Sequence, residues 1–246
     1  MRLQKFLAQA GVCSRRAAEE LIRQGRVEVN GEKAEIGRSV DPLRDRMRLD
    51  GKPVFLQTKR IILALNKPCN CVTTASDPQG RRTVLDLLPD FGVRIFPVGR
   101  LDYDTDGLLL LTNDGELANR LLHPSYGISK VYDVKIKGHP DKKAIEQLRS
   151  GVRIEEGVTA PAGVEIIREL PSSAWLRITL HQGWNRQIKR MGEAVGHPVL
   201  KIRRISYGPV CLGRLRPGQY RLLRPDEILK IYEEARIYRS DAGDEL

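Results

Sequence analysis

Apolar side chains recur along this chain at two spacings, and the switches between them outline its elements. Leu3, Phe6, Leu7 and Ala10 fall at i, i+3, i+4 and i+7, which predicts a short amphipathic helix closed by Gly11. Ser14 suits the N-cap of a second helix that turns Ala18, Leu21 and Ile22 inward, keeps Arg15, Arg16 and Arg23 outside and ends at Gly25. Val27 and Val29 then alternate with polar residues before Asn30-Gly31, a strong two-residue hairpin turn. Asp50-Gly51 marks a second turn between Leu49 and Val54. Residues 1–58 therefore read as two helices and a small hairpin sheet.

The polar run Gln57-Thr58-Lys59-Arg60 precedes Ile61 to Leu65, a buried strand stopped by Asn66-Lys67-Pro68, and the boundary between two domains is set here. Strand-like runs follow at 94–98, 107–111, 130–137, 163–167, 175–180 and 199–205. Helical patterns fall at 115–122, 141–149 and 186–195, and another follows Pro225. Because the mixture shows no regular βαβ repeat, the expected architecture is an α+β fold, mainly antiparallel, over residues 59–238. Residues 239–246 form a polar C-terminal tail expected to fray. No internal repeat or low-complexity segment is found.

Composition narrows the chemistry. The 246 residues hold 42 Lys and Arg against 31 Asp and Glu, and the excess is concentrated in the first quarter of the chain. No hydrophobic stripe flanks those cations, which favours a polyanionic partner over a membrane surface. Cys13, Cys69, Cys71 and Cys211 form no C-x-x-C pair, so neither a disulfide scaffold nor a zinc finger is expected, and a cytoplasmic location is the default. Neither a signal peptide nor a membrane span is expected. No G-x-G-x-x-G occurs, and the P-loop spacing of Gly208 and Gly213 is followed by Arg214-Leu215 instead of Lys and Ser or Thr. Pro68-Cys69-Asn70-Cys71 is one residue short of the zinc-deaminase half-motif and lacks an H-x-E partner. Asp102-Tyr103-Asp104-Thr105-Asp106-Gly107 opens like a calcium loop, yet Asn113 stands where the bidentate Glu is required, so no metal is assigned.

That acidic run remains the best candidate for chemistry. A carboxylate on a tight loop before the apolar Leu108 to Leu111 would sit at the rim of a core, partly desolvated, with Arg100 as an available partner. Three acids compete for the role, and turn formation would account for any one of them. In the helix near 186–195, Ile188, Met191 or Gly192, and Val195 make the buried stripe. Arg186, Lys189, Arg190 and Glu193 then lie off the core, where Arg186 and Lys189 can meet both a carboxylate and the charges of a polyanion. By alternation Tyr132 lies opposite Val131, in a position that favours core packing.

The order of these residues resembles a known family. Arg2 to Leu7, Cys13 to Ile22 and Gly25 to Gly31 are similar to the small S-four-type RNA-binding domain. Arg100-Leu101-Asp102 through Thr105-Asp106-Gly107 and Leu108 to Thr112 resemble the catalytic motif of RNA pseudouridine synthases. The likeness continues through Ala118 to Pro124, Lys130-Val131-Tyr132, Gly183 to Met191, Glu193 to His197 and Gly208 to Val210. It points to the RsuA/RluB family that modifies ribosomal RNA, and to its large-subunit branch.

The resemblance implies that Asp102 is the catalytic aspartate, Tyr132 the pocket tyrosine stacked near the base, and Lys189 the cation paired with the aspartate. Many relatives carry arginine at the last position, and lysine supplies a point charge in place of a fork. The resemblance also implies that Arg100 helps to bind or displace the nucleotide. Arg15 and Arg16 are expected on RNA because helix N-termini and guanidinium groups both attract phosphate, and Arg186 and Arg190 are expected there from the helix pattern. The partner is then ribosomal RNA or a ribosome assembly intermediate, the acting species a monomer, and no cofactor is needed. Two other readings are a ribosome-binding or assembly factor without catalysis, which would have no use for all three site residues, and an RNA methyltransferase, which would need a glycine-rich cofactor loop.

The division of labour is testable. Deleting residues 1–58 is expected to weaken binding to ribosomal RNA and to flatten its dependence on salt, measured by titration at several ionic strengths. An unchanged slope would remove the binding role from this segment.

Overall fold

The computed structural model describes residues 1–237, and the tail expected from 239 lies outside the described residues. Helices α1 (Leu3–Gln9) and α2 (Arg15–Arg23) form as their apolar spacing predicts. Ser14 accepts a hydrogen bond from the Ala17 amide at 3.2 Å and caps α2. The helices cover one face of an antiparallel sheet of β1 (Val27–Val29), β2 (Glu32–Lys33), β3 (Met47–Leu49) and β4 (Lys52–Val54), in the order β2-β1-β3-β4. Asn30 and Gly31 both take positive φ, as a tight turn between twisted strands requires. Leu3, Phe6, Leu7, Ala18, Ile22 and Val27 are buried between helices and sheet. Removing such side chains from water contributes about 1.5–3 kcal/mol for each large one.

A nine-stranded sheet organises the rest. Its strands and helices are, in chain order, β5 (Ile62–Lys67), β6 (Phe96–Val98), β7 (Asp106–Thr112), α3 (Gly115–Leu122), β8 (Lys130–Lys137) and α4 (Lys142–Ser150). After the separate hairpin β9 (Arg153–Ile154) and β10 (Gly157–Val158) come β11 (Gly163–Leu170), β12 (Ser173–Leu180), α5 (Gln187–Ala194), β13 (Val199–Tyr207), β14 (Val210–Cys211), β15 (Tyr220–Leu222) and α6 (Pro225–Glu234). The path runs β11-β12-β8-β13-β7-β5-β15, with β6 on β7 and β14 on β13. The sheet is mainly antiparallel, as expected, and the junction of β13 with β7 is parallel.

Strand β7 is buried along its whole length because its two faces serve two cores. Leu108 and Leu110 pack with Leu117, Leu121, Tyr207 and Ile231 below α3 and α6. Leu109 and Leu111 pack with Leu63, Leu65, Val84 and Leu101 on the other side. A third core joins Val134, Ile136, Leu176 and Ile178 to Ile188 and Met191 of α5. Among the described residues, no helix is long and apolar enough to cross a membrane.

The structure departs from the pattern in places. Strand β5 continues through Asn66 and Lys67, where a stop is expected, and both residues are buried opposite Leu108 and Gly107. Their donors are paired: the Asn66 side-chain amide donates to the Leu215 carbonyl at 2.7 Å, and Lys67 Nζ donates to the Pro68 and Thr105 carbonyls at 3.0 and 2.8 Å. Strands β9, β10, β14 and β15 have two or three residues each, too few for a period to show.

The parallel junction has no spare room. Gly107 has φ +111°, and a Cβ there would stand 2.3 Å from the Arg204 carbonyl oxygen and 2.5 Å from its nitrogen. Next to it Arg203 grips Asp106 through Nε and Nη2 at 2.9 and 3.2 Å. Gly107→Ala is therefore expected to cost about 3 kcal/mol or more in a urea titration, because backbone must part from backbone. Gly115→Ala, which meets only Phe96 at 4.0 Å, is expected to be neutral or stabilising by up to about 1 kcal/mol.

Candidate active site

The loop ahead of β7 is held from below. The Thr73 hydroxyl donates to the Leu101 carbonyl at 2.8 Å and accepts from the Leu101 amide at 3.2 Å, so one side chain clamps both backbone groups of that residue. Leu101 is buried, and the Thr105 amide closes a turn onto the Asp102 carbonyl at 3.1 Å. Lys67 lies fully buried beneath the turn, bonded to the Thr105 carbonyl. Burial pushes its ammonium below the ordinary lysine range, against the pull of the nearby Cys71, Cys69, Asp102 and Asp104.

Three environments separate the three acids of the run. Asp106 begins β7, has a side chain only 7% exposed, and is bound by Arg203 and by Lys201 at 3.5 Å. Its carboxylate is part of the sheet. Asp104 is 63% exposed, and its two oxygens take hydrogen bonds from Lys189 Nζ at 2.6 and 2.5 Å, which hold its carboxyl below the usual range. Asp102, 35% exposed, lines a cavity of about 90 Å³ together with Arg100, Tyr132, Trp184, Arg186 and Ile202. With the acids so divided, they do not converge as metal ligands, and among the described residues no group of three or more His, Cys, Asp or Glu side chains could hold a metal ion.

The other expected site residues fall into place unequally. Tyr132, on β8, lines the cavity and also packs against the cores on both sides of it, so both roles weighed for it are compatible. Lys189 lies in the first turn of α5, yet its nearest partner is Asp104; Asp102 Oδ2 is 4.0 Å away. The expected pair is thus a shared cation. A flexible lysine gains two hydrogen bonds by bridging both oxygens of the more accessible acid, which a distance of 4.0 Å does not offer. Arg100 is exposed at the cavity and makes no ion pair with Asp102, so the partner expected from its spacing is not the one found. Arg186 caps α5 in the left-handed region at φ 50°, and its charge also lowers the Asp104 carboxyl.

Arg190, expected on RNA, has carboxylate partners within the protein. It is bound by Glu156 and lies 3.4 Å from Glu155, both on the turn between β9 and β10. One helical turn beyond Arg186, it faces the short hairpin packed on α5, and its charge is already met there. Arg15 and Arg16 are exposed at the start of α2, outside the cavity lining. Residue patterns missed Lys67, Thr73 and Trp184. The Trp184 amide donates to Oε1 of the buried Gln187 at 3.1 Å, which ties the cavity wall to α5. The one available signal was a lysine and an asparagine closing an otherwise apolar strand.

A carboxylate at the edge of a small cavity, an aromatic ring in its wall and cations at its mouth suit a reaction on a planar polar ring carried by a polyanion. Comparison with known proteins agrees. Residues 61–194 match the family described as RNA pseudouridylate synthase, and residues 1–42 match the S4 domain. The chain is 44% identical over 233 residues to the ribosomal large subunit pseudouridine synthase B of Bacillus subtilis, covering 94% of this chain and 95% of that one. It is 46% identical over 235 residues to an uncharacterized RNA pseudouridine synthase of Aquifex aeolicus, covering 95% and 94%. A crystal structure of a pseudouridylate synthase aligns with TM-score 0.69 at 30% identity, over 94% of this chain and 99% of the other.

The division among the acids can be measured without an assay of turnover. Asp106→Asn is expected to lower stability by about 1–2 kcal/mol in urea, since it unpairs cations that keep partial access to water. Asp104→Asn is expected to stay within about 0.5 kcal/mol of the parent. Equal losses would contradict this sorting.

Proposed function

The chain belongs to the RNA pseudouridylate synthase family, and from that premise we propose that it isomerises one uridine of large-subunit ribosomal RNA, with Asp102 as the catalytic carboxylate. The observation that carries this reading is that Asp102, alone among the three acids of its run, lines the cavity with Tyr132. The large-subunit RNA is supported by the name of the Bacillus subtilis relative.

The reaction breaks the bond from C1′ to N1, turns the uracil and joins C1′ to C5; the C5 proton is lost and N1 gains one. No electrons are exchanged with a partner, and no energy input is required. A carboxylate serves by attacking the sugar carbon or by taking a proton on the way to a glycal. Lys189 Nζ, 4.0 Å from Asp102 Oδ2, sets a positive charge beside the carboxylate that either route uses. Tyr132 offers a flat wall for the detached ring, and a cavity of about 90 Å³ is well above the ~10–15 Å³ that seats a single water. Arg100 and Arg186 stand at the cavity for the phosphates flanking the target. Taking a base out of its stack costs a few kcal/mol. Phosphate contacts made by the basic N-terminal unit, with Arg15 and Arg16 exposed on α2, offset that cost.

The test is to map pseudouridine by carbodiimide labelling and primer extension in unmodified ribosomal RNA. The wild-type protein is expected to produce one new stop in large-subunit RNA. Asp102→Asn is expected to lower the rate by at least about a thousandfold while RNA affinity stays within about threefold, since the variant keeps shape and loses the anion. Product formed by the variant would move the role to another group. Tight binding with no stop in either RNA or in assembly intermediates would favour a binding factor.

A further inference from the structure

Residues 43–60 lie between the two family matches, in a stretch that neither spans. They include the outer half of the N-terminal sheet. Its inner face is covered by α1 and α2, against which Val27, Val29 and Met47 are buried. Alternation sends the residues between them to the open face. There Arg48 stands opposite Glu28 on β1 and opposite Pro53 on β4, the edge strand. Phe55, just past the end of β4 and two residues beyond Pro53, is 75% exposed. Arg46, two residues before Arg48 and just ahead of β3, is exposed, as is Arg48. The ion pairs around this sheet join Arg26 to Asp50, Arg38 to Glu32 and Arg44 to Asp41, and leave Arg46 and Arg48 out.

A single exposed apolar side chain needs no explanation. Phe55 differs in its company. A phenyl ring at an open sheet edge near two guanidinium groups that form no ion pair among the described residues can stack an unpaired base and hold the phosphates on either side of it. A protein partner suited to this face would have to bring acids to the arginines, whereas RNA brings both the planar ring and the negative charge on each nucleotide. The concentration of positive charge in this quarter of the chain acts in the same direction.

We infer that Phe55, with Arg46 and Arg48, forms a stacking platform for an unpaired nucleotide of the RNA substrate. It is separate from the Asp102 cavity and from the arginines that open α2. The inference rests on the proposed RNA substrate and does not depend on which group performs catalysis.

The experiment measures binding of the full-length protein to a fluorescein-labelled oligouridylate of about twelve nucleotides and to an RNA duplex of the same length, across a salt series. Phe55→Ala is expected to weaken binding to the single strand about tenfold or more and to leave duplex binding unchanged, because paired bases are already stacked. The slope of log K against log salt is expected to stay at the wild-type value in Phe55→Ala and to fall by about 0.7 in Arg48→Ala, since only the second loses a phosphate contact. Phe55→Trp is expected to keep wild-type affinity and to add indole fluorescence that is quenched on binding. Three results would overturn the inference: wild-type single-strand affinity in Phe55→Ala, equal losses on single strand and duplex, or no binding of the oligouridylate by the wild-type protein at low salt. Pseudouridine formation by the wild-type protein scores the catalytic reading separately.

Discussion

The site depends on the place where two strands run parallel and almost touch. Gly107 of β7 lies so close to the backbone of Arg204 on β13 that no side chain fits between them. This contact joins the half-sheet β11-β12-β8-β13 to the half-sheet β7-β5-β15. A row of alternating charge crosses it, from Arg177 to Asp133 at 2.9 Å and from Arg203 to Asp106 at 2.9 Å. Asp102 enters the site from the loop ahead of one half, while Tyr132 and Lys189 belong to the other half and the helix packed on it. A close approach at one glycine therefore sets the relation among three side chains more than twenty residues apart in the chain.

Around that junction, charge is assigned by access to water. Asp106 is enclosed and paired with cations on the neighbouring strand, Asp104 is open and takes the lysine, and Asp102 is left at the cavity with the same lysine one step away. Behind the loop, Lys67 is sealed from solvent and spends its protons on two backbone carbonyls. Such a buried donor rigidifies the turn it holds, because an unmet ammonium inside the protein would be costly. Farther along the sheet, Lys130 and Arg204 both lie over the ring of Tyr207, at 5.2 and 5.1 Å, and burial beside Arg204 pushes the Lys130 ammonium down to about 8. Cations around the candidate site are thus met by carbonyls and rings as well as by carboxylates.

On the proposed reading, the two parts of the chain divide recognition from chemistry along physical lines. Long-range attraction to phosphate needs accessible charge, and the N-terminal sheet and helices supply it on small, rigid surfaces. The proposed rearrangement of a glycosidic bond uses a carboxylate sheltered from bulk water beside a flat wall, and the large sheet with its three cores provides that shelter.

Most elements of this fold are legible in the order of residues. Apolar spacing outlines α1 to α6, Asn30-Gly31 and Asp50-Gly51 mark the turns of the N-terminal sheet, and the uninterrupted run Leu108 to Leu111 announces a strand buried on both faces. These are local properties, set by steric preference and by the periods of helix and strand. The acidic run also singles out the loop where the proposed chemistry is placed, because three carboxylates in five residues demand separate fates. Which acid meets the cavity, which binds the sheet and which takes Lys189 could not be read there, since those outcomes depend on partners 80 to 100 positions away. The same holds for Arg190, whose charge is claimed by Glu155 and Glu156, and for Lys67, whose burial follows from the loop folded above it. Local sequence determined the elements and the kinds of chemistry within reach; tertiary structure decided the pairings, because a charge is governed by its distance to other charges and to water, and only packing sets those distances.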